Sequence, residues 1–273
     1  MKSNKKNCII TGGVSGFGLH LSKVFSKSYN VFILSRSKTK FLKLKKKLNS
    51  KNKIIFLRND LSNLRNIKKS MIKIKNVDLI IFNAGTIDSS SICNTSTIYI
   101  VNYLSNFLII NLLKNKITNN KKKMIIINIS SKMHKFANLK SISFLNNASN
   151  WIQYANSKLM MLLFLNKLKR QYKKKVAILS FDPGWMKTNF GRNQKSFIRK
   201  ILDILRTNFA KDSLFQERQA KKLFDVTKTQ LSKFDRNFFD FYGIKKASNK
   251  SNDIFLQNEL WDKSKNFLKL NSI

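Results

Sequence analysis

Short apolar runs alternate along the chain with longer segments of helical periodicity. The runs are rich in β-branched and aromatic residues, which is typical of strands that are buried on both faces of a parallel sheet. Six runs predict strands, over residues 8–10, 31–34, 54–57, 79–82, 124–129 and 176–181. The apolar spacing between them predicts helices over residues 19–26, 38–48, 64–74, 95–113 and 151–172.

This alternation of strands and helices predicts a doubly wound α/β fold, with a parallel sheet covered by helices on both faces. The chain shows neither an internal repeat nor a linker rich in Pro, Gly or Ser, so we expect a single domain over residues 1–273. The pattern after Pro183 is less regular, and we expect residues 185–235 to cap a substrate. Within that segment, residues 195–209 form a basic amphipathic pattern, which fits either contact with a membrane surface or packing on the protein's own core.

The chain is strongly basic, with 54 Lys and Arg against 13 acids and a net charge of +41. Such a charge can indicate nucleic acid or an anionic membrane as a partner, or it can reflect compositional drift toward Lys, Asn, Ile and Phe. Lysine is spread along the whole chain, and no nucleic-acid module is recognisable. We therefore favour drift, expect no specific nucleic-acid partner, and leave open a peripheral membrane contact through 195–209.

Cysteine and histidine are scarce. The two cysteines cannot form a disulfide framework, and the two isolated histidines predict no metal site. No apolar stretch reaches the ~18 residues that a membrane span needs. The apolar run near the start is too short for a signal peptide. We expect a cytoplasmic protein, with a membrane-peripheral location as the alternative.

Glycines cluster where the first predicted strand gives way to a helix. The strand ends at Thr11, and Gly12, Gly16 and Gly18 follow. In such a turn, the first glycine allows a tight bend, the second lets the backbone approach a pyrophosphate, and the third lets helix and sheet pack closely. The helix N-terminus attracts the anion. The position therefore predicts a dinucleotide site of the Rossmann type.

The second predicted strand is followed by Ser35-Arg36-Ser37. An acid at this position would bind the ribose hydroxyls of the adenosine and would indicate NAD. Arg36 can instead pair with a 2′-phosphate, so the sequence favours NADP(H) over NAD(H). The alternative is that Arg36 is one more cation in a basic chain.

Tyr154 and Lys158 share one face of a predicted helix. The ordinary pKa of a phenol is about 10, and a nearby ammonium is expected to lower it. Tyr154 could then exchange a proton with a carbonyl or alcohol oxygen. The hydroxyl of Ser131, or that of Ser130, could bond the same oxygen at the carboxyl edge of the sheet. Asn102 could hold a water molecule or satisfy backbone groups.

Together these motifs resemble the short-chain dehydrogenase/reductase family, in the family's order and over nearly the whole chain. The matching elements are Thr11-Gly12-x-x-x-Gly16-x-Gly18, Asn59-Asp60-Leu61, Asn83-Ala84-Gly85, Val101-Asn102, Ile129-Ser130-Ser131, Tyr154-x-x-x-Lys158 and Pro183-Gly184-x-x-x-Thr188. The resemblance implies a catalytic tetrad of Asn102, Ser131, Tyr154 and Lys158, with Ser131 rather than Ser130 as its serine. It also implies a set of cofactor contacts, with Thr188 at the nicotinamide carboxamide. With Arg36, this set comprises Gly12, Ser15, Gly16, Phe17, Gly18, Asp60, Leu61, Asn83, Ala84, Gly85, Tyr154, Lys158, Pro183, Gly184 and Thr188.

Residues 101–113, the gap from Ser131 to Tyr154 and the tail over 252–268 are similar to the branch of retinol dehydrogenases and light-dependent protochlorophyllide reductases. That branch acts on hydrophobic carbonyls and alcohols, mostly with NADP(H), although Asp182 stands where the branch has His. The resemblance implies an oxidoreductase that moves hydride between NADP(H) and such a substrate. The alternative is a catalytically silent, nucleotide-binding regulatory protein. Two of the predicted helices, which begin near Thr95 and Trp151, form dimer interfaces in many members, so a homodimer is one alternative.

Overall fold

The computed structural model describes residues 5–48, 53–92, 94–184 and 212–270. Eight strands form one central sheet in the order β10-β9-β8-β7-β4-β1-β2-β3. All neighbours in it are parallel except β10, which runs antiparallel to β9. A separate antiparallel pair is formed by β5 and β6. The strands are β1 (Asn7–Thr11), β2 (Asn30–Ser35), β3 (Ile54–Arg58), β4 (Leu79–Phe82), β5 (Ser91–Ile92), β6 (Thr95–Ser96), β7 (Met124–Ile129), β8 (Val176–Phe181), β9 (Phe238–Asp240) and β10 (Gly243–Lys245).

Helices cover both faces of this sheet. They are α1 (Gly16–Phe25), α2 (Lys38–Lys47), α3 (Leu64–Ile72), α4 (Thr97–Tyr99), a π turn (Ile100–Leu104), α5 (Ser105–Leu112), α6 (Lys114–Asn119), α7 (Asn150–Tyr172), α8 (Ser213–Thr229), α9 (Leu231–Phe234) and α10 (Ile254–Leu270). Short 3₁₀ turns lie at Lys132–Phe136, Lys173–Lys175 and Asn249–Asn252. One core lies between the sheet and α3, α5, α7 and α10, and a second lies between the sheet and α1, α2 and α8.

The predicted α/β class and all six predicted strands are confirmed. Helix α1 begins at Gly16, three residues before the predicted start, because the glycine turn itself enters the helix. Residues 95–96, predicted as the start of a helix, instead form β6, and the helix begins at Thr97 after Ser96 caps it.

The segment expected to cap a substrate is described only from residue 212 onward, and both the amphipathic pattern over 195–209 and Thr188 lie outside the described residues. Helix α8 belongs largely to the core, since Ala220, Leu223 and Val226 are buried in the cluster beside α1. Two residues near its start, Phe215 and Gln219, nevertheless line a large cleft at the carboxyl ends of the strands.

Helix α10 covers the helices on which the expectation of a homodimer rests. The Trp261 ring lies 5.4 Å from the Phe107 ring and 5.9 Å from the Phe164 ring, centre to centre. The hydroxyls of Tyr103 and Ser264 are 2.7 Å apart and hydrogen-bonded. Part of the surface of α5 and α7 is therefore covered by the chain's own helix.

Among the described helices, none combines the length and the apolar character needed to cross a membrane.

Candidate active site

A cleft of about 1020 Å³ opens at the carboxyl ends of the parallel strands. The chain leaves β1 toward β2 on one side, while β4 pairs with β1 on the other, so the strand order reverses at this point. Ligands of open α/β sheets bind in the crevice at such a reversal. The residues predicted to bind the cofactor or act in catalysis line the cleft, with two exceptions. Thr188 lies outside the described residues, and Asn102 is buried next to the cleft without lining it.

The glycine turn has the geometry that was predicted for it. Gly12 and Gly16 have φ angles of 69° and 52°, in the left-handed region that favours glycine. A Cβ at Gly18 would lie 2.3 Å from the carbonyl oxygen of Gly12, so only glycine fits there. Ser15 caps α1 without a side-chain bond to it. The first N–H groups of α1 have no partner within the helix and can receive a phosphate.

The turn is joined to the end of β4 by hydrogen bonds. The Thr11 hydroxyl accepts the backbone N–H groups of Asn83 and Ala84, each at 3.0 Å. The Asn83 amide in turn donates to the carbonyl oxygens of Thr11 and Gly12, at 3.0 and 3.3 Å. These bonds fix the separation of two walls of the cleft, which gives Thr11 a positioning role that the motif alone did not assign.

The adenosine end of the cleft carries two cations. Arg36 is largely exposed, with its Nη1 atom 3.9 Å from Oδ2 of Asp60. Lys40, in the first turn of α2, lines the same end and was missed by the sequence reasoning. The sequence could have indicated Lys40, because it lies four residues after Arg36, at the start of a predicted helix. Asp60 is held by Ser62, whose N–H and hydroxyl donate to Oδ1 at 3.0 and 2.8 Å.

Ser131 and Tyr154 meet at the opposite end of the cleft. Their side chains share a hydrogen bond. The Ser130 hydroxyl is buried and has no hydrogen-bond partner among the described residues. Ser131 also caps the following 3₁₀ turn by accepting the N–H of Met133 at 3.2 Å. The geometry thus favours Ser131 over Ser130 as the group that shares a reacting oxygen with Tyr154.

Lys158 lies beside Tyr154 but bonds elsewhere. Its Nζ donates to the carbonyl oxygen of Ile129 at 2.9 Å and lies 5.4 Å from the centre of the Tyr154 ring. Burial lowers the pKa of Lys158 to about 8, while nearby Asp182 acts in the opposite direction.

The pKa of Tyr154 is raised, which is opposite to the expectation that the ammonium would lower it. Burial is the main cause; the hydrogen bond with Ser131 lowers the pKa, and Asp182 raises it. The expectation was wrong in direction because the Lys158 ammonium is held by Ile129 rather than by the phenol, so it does not offset burial.

Asn102 lies on the π turn and holds the segment after Gly85. Its amide nitrogen donates to the carbonyl oxygen of Thr86 at 2.9 Å and to the Ser157 hydroxyl at 3.0 Å. Its amide oxygen accepts the Thr86 N–H at 2.8 Å. The Asn102 carbonyl oxygen accepts the side chain of Asn106 at 3.0 Å. Of the two roles left open, satisfying backbone groups is therefore the one that these contacts support.

His134 contacts the backbone of Ser131. The sequence reasoning did not assign it this role, although His134 lies only three residues after Ser131. Its Nδ1 is 2.6 Å from the Ser131 carbonyl oxygen, and its Nε2 accepts the Ser248 N–H at 3.1 Å. These partners require a neutral ring with the proton on Nδ1. Burial lowers the pKa of His134, which favours the same neutral form.

Asp182 lines the cleft near Tyr154 and Lys158. Its Oδ1 accepts the Gly184 N–H at 2.9 Å, and its Oδ2 is buried without a hydrogen-bond partner among the described residues. Burial raises its pKa. Pro183 and Gly184 follow at the cleft, and the Gln219 side chain donates to the Pro183 carbonyl oxygen at 2.9 Å.

These residues fit a nicotinamide dinucleotide. The close packing at Gly18 and the first N–H groups of α1, which no side chain caps, suit a pyrophosphate. The buried Tyr154 and Lys158 lie at the far end of the same cleft. No cluster of His, Cys, Asp or Glu in the described part of the chain could hold a metal ion.

Comparison with known proteins identifies the family. The sequence profile of the short chain dehydrogenase family matches residues 6–198, which is most of the chain. The chain therefore belongs to this family. A relative is the WW domain-containing oxidoreductase of Drosophila melanogaster, 27% identical over 225 residues. The match covers 77% of this chain and 54% of the relative, so the chain spans about half the relative's length.

Solved structures share the fold. A protein of Mycobacterium Paratuberculosis without assigned function has a TM-score of 0.72 at 18% identity, covering 97% of this chain and 94% of that one. A short-chain dehydrogenase from Sphingobium yanoikuyae in complex with NADPH has a TM-score of 0.64 at 15% identity, covering 86% and 87%. The 3-ketoacyl-(acyl-carrier-protein) reductase of Brucella melitensis, complexed with NADH, has a TM-score of 0.63 at 18% identity, covering 86% and 96%.

Proposed function

We propose that the protein is an NADP(H)-dependent oxidoreductase that interconverts a carbonyl and an alcohol on a small hydrophobic molecule. The observation that carries this proposal is the hydrogen-bonded pair of Ser131 and Tyr154, buried beside Lys158 at the end of the cleft that the glycine turn opens. A silent nucleotide-binding protein would not need to bury an acid–base pair at this place.

The bound cofactor would supply or accept the hydride. Because its pKa is raised, Tyr154 is protonated at neutral pH and can donate a proton to a carbonyl oxygen during reduction. Ser131 orients the same oxygen through its hydroxyl. Lys158 contributes a positive charge below a pH of about 8 and can reach the ribose from its position beside Gly85.

The preference for NADP(H) rests on Arg36 and Lys40. The pair between Arg36 and Asp60 is long and exposed, so it contributes little and leaves the guanidinium able to turn toward a 2′-phosphate. Lys40 would add a second cation to the same phosphate. The matched structures with NADPH and with NADH make both cofactors reasonable candidates for this chain.

The hydrophobic substrate is supported by the wall of the cleft beyond Tyr154. Apolar and aromatic side chains line it, and two of them, Phe136 and Tyr242, are each 72% exposed. Exposed aromatic rings at the mouth of a cleft suit an apolar ligand. The wall comprises Met133, Phe136, Trp151, Phe215, Phe241 and Tyr242. Substrates of this kind are those of the retinol dehydrogenase and protochlorophyllide reductase branch. We also place the protein in the cytoplasm or at the surface of a membrane, where such molecules partition.

The test follows the absorbance at 340 nm with NADPH or NADH and a panel of apolar aldehydes, ketones and alcohols. We expect turnover with NADPH, and we expect Arg36→Ala to weaken NADPH binding about tenfold or more while NADH binding stays the same. Arg65→Ala, an exposed arginine on α3, serves as the matched control. NADPH binding without turnover on any substrate would support the silent alternative, and an unchanged preference in Arg36→Ala would refute the role of Arg36.

A further inference from the structure

A second cavity of about 290 Å³ lies on the sheet face that α7 covers, and it shares no lining residue with the active-site cleft. Helix α7, the strands β8 and β9, and residues 245–252 enclose it. Nothing in the proposed reaction uses this cavity.

The lining of this cavity is basic and contains no acid. Lys169, Arg170, Arg236 and Lys245 contribute four cations from three separate segments. Lys169 is matched by Asp235, at 2.7 Å from Nζ to Oδ2, and Lys245 lies 3.9 Å from an oxygen of Asp240.

The two arginines of the cavity remain available. Neither Arg170 nor Arg236 forms an ion pair with a described residue. Both oxygens of the nearby Asp235 carboxylate already have partners: Oδ2 pairs with Lys169, and Oδ1 accepts the Ile178 N–H at 2.8 Å. The cavity therefore holds positive charge that the described chain does not neutralise.

Two further features of the cavity suit a ligand. Ser180 lines the cavity, and none of the hydrogen bonds among the described residues uses its hydroxyl. That hydroxyl can therefore donate to a ligand atom. Arg236 has a φ angle of 71°, a conformation that is costly for any residue except glycine. An arginine kept in that conformation at a cavity fits a need for its guanidinium there.

We propose that this cavity binds a phosphate group. Guanidinium groups bind phosphate through paired hydrogen bonds, and the Ser180 hydroxyl supplies a further donor. The phosphate could be free or could belong to a small phosphorylated molecule, since the cavity exceeds the volume of a single ion. The site would be separate from the cofactor, with a role in regulation or stability rather than in hydride transfer.

The test is calorimetric titration with inorganic phosphate at constant ionic strength, using protein saturated with NADPH so that the phosphate-binding parts of the cleft are filled. We expect one saturable phosphate per chain. Arg236→Gln and Ser180→Ala should each weaken it, by about tenfold or more for the arginine. Arg65→Gln is the control for non-specific attraction to a basic protein. If the protein binds no NADPH, the titration uses Arg36→Ala, which keeps this test separate from that of the proposed function.

Two further arms complete the design. Glycerol 3-phosphate replaces inorganic phosphate to distinguish the sources, because tighter binding would indicate a phosphorylated molecule and equal binding the free ion. Arg236→Gly guards against misfolding, since glycine accepts the backbone conformation, and it should fold with undiminished stability but bind phosphate weakly. Absence of saturable binding, or saturable binding that the three cavity variants share with the unmodified protein, would overturn the proposal.

Discussion

Replacing Lys158 with methionine should stabilise the fold while removing activity. Lys158 is buried, with 7% of its surface exposed, and its ammonium has the Ile129 carbonyl oxygen as its hydrogen-bond partner. Methionine fills a similar volume without a charge. The substitution therefore separates what the ammonium does for catalysis from what its burial costs the folded chain.

The magnitude follows from the pKa of Lys158, which burial lowers from 10.5 to about 8. Each tenfold change in proton affinity corresponds to about 1.4 kcal/mol, so keeping the ammonium charged at pH 7 costs the folded state about 3 kcal/mol. The substitution also leaves the Ile129 carbonyl unpaired, at a cost of about 1–3 kcal/mol. Lys158→Met should thus gain on the order of 1 kcal/mol at neutral pH.

The pH dependence isolates the charge from every other effect of the substitution. The cost is fully present below pH 8, where Lys158 is charged in both the folded and the unfolded chain. Between pH 8 and 10.5 the folded chain releases its proton before the unfolded chain does, so the cost falls as pH rises. Between pH 7 and pH 10, the stability difference should move by ~2 kcal/mol, or roughly 5 °C in Tm, in favour of the unmodified protein. Lys158→Met should therefore be the more stable protein at pH 7 and the less stable one at pH 10.

The assay is urea unfolding and thermal melting of Lys158→Met and the unmodified protein across this pH range. Lys123→Met, which removes an exposed lysine, controls for the loss of one positive charge from a basic chain. The reasoning is refuted if the stability difference for Lys158→Met is the same at pH 7 and pH 10, or if it changes as much in the control.

Gly18→Ala should weaken NADPH binding at least tenfold and destabilise the fold by ~1–3 kcal/mol, because the added Cβ would lie 2.3 Å from the Gly12 carbonyl oxygen. Fluorescence titration and urea unfolding measure both effects, and unchanged values would contradict the close contact. Asp182→Asn should move the alkaline limit of kcat/KM to lower pH, since the lost charge raises the pKa of both Tyr154 and Lys158 in the unmodified protein. The pH profile measures this against Asp225→Asn, an exposed acid on α8, and an unmoved limit would exclude the effect of Asp182.

The sequence predicted the centre of the sheet well because its strands are continuous apolar runs buried on both sides. It did not predict β9 and β10, which have three residues each and form only because β8 offers an edge to pair with. Helix α10 was also missed as an element. The role of its apolar residues is visible only once Trp261 lies against α5 and α7.

For the site, local motifs were sufficient wherever a role depends on backbone geometry close in sequence. Gly12 adopts the left-handed conformation of a tight turn, and Gly18 has no room for a side chain, as their spacing indicates. Roles that depend on long-range contacts were out of reach. The bond from His134 to Ser248 joins residues 114 apart in the chain, and no local pattern contains it. The predicted direction of the Tyr154 pKa shift was wrong for the same reason, since the burial that raises this pKa is a property of the assembled fold.

Burial favours the uncharged form of both acid–base groups, with opposite consequences for chemistry. For Tyr154 it strengthens the protonated form, which is the form that donates to a carbonyl oxygen in reduction. For Lys158 it brings the loss of charge to about pH 8, closer to neutrality than for an exposed lysine. Asp182 opposes burial at Lys158 and adds to it at Tyr154, so a single carboxylate favours the proton-bearing form of both. In a chain with only 13 acids, the placement of Asp182 thus helps to keep the proton on both groups at neutral pH.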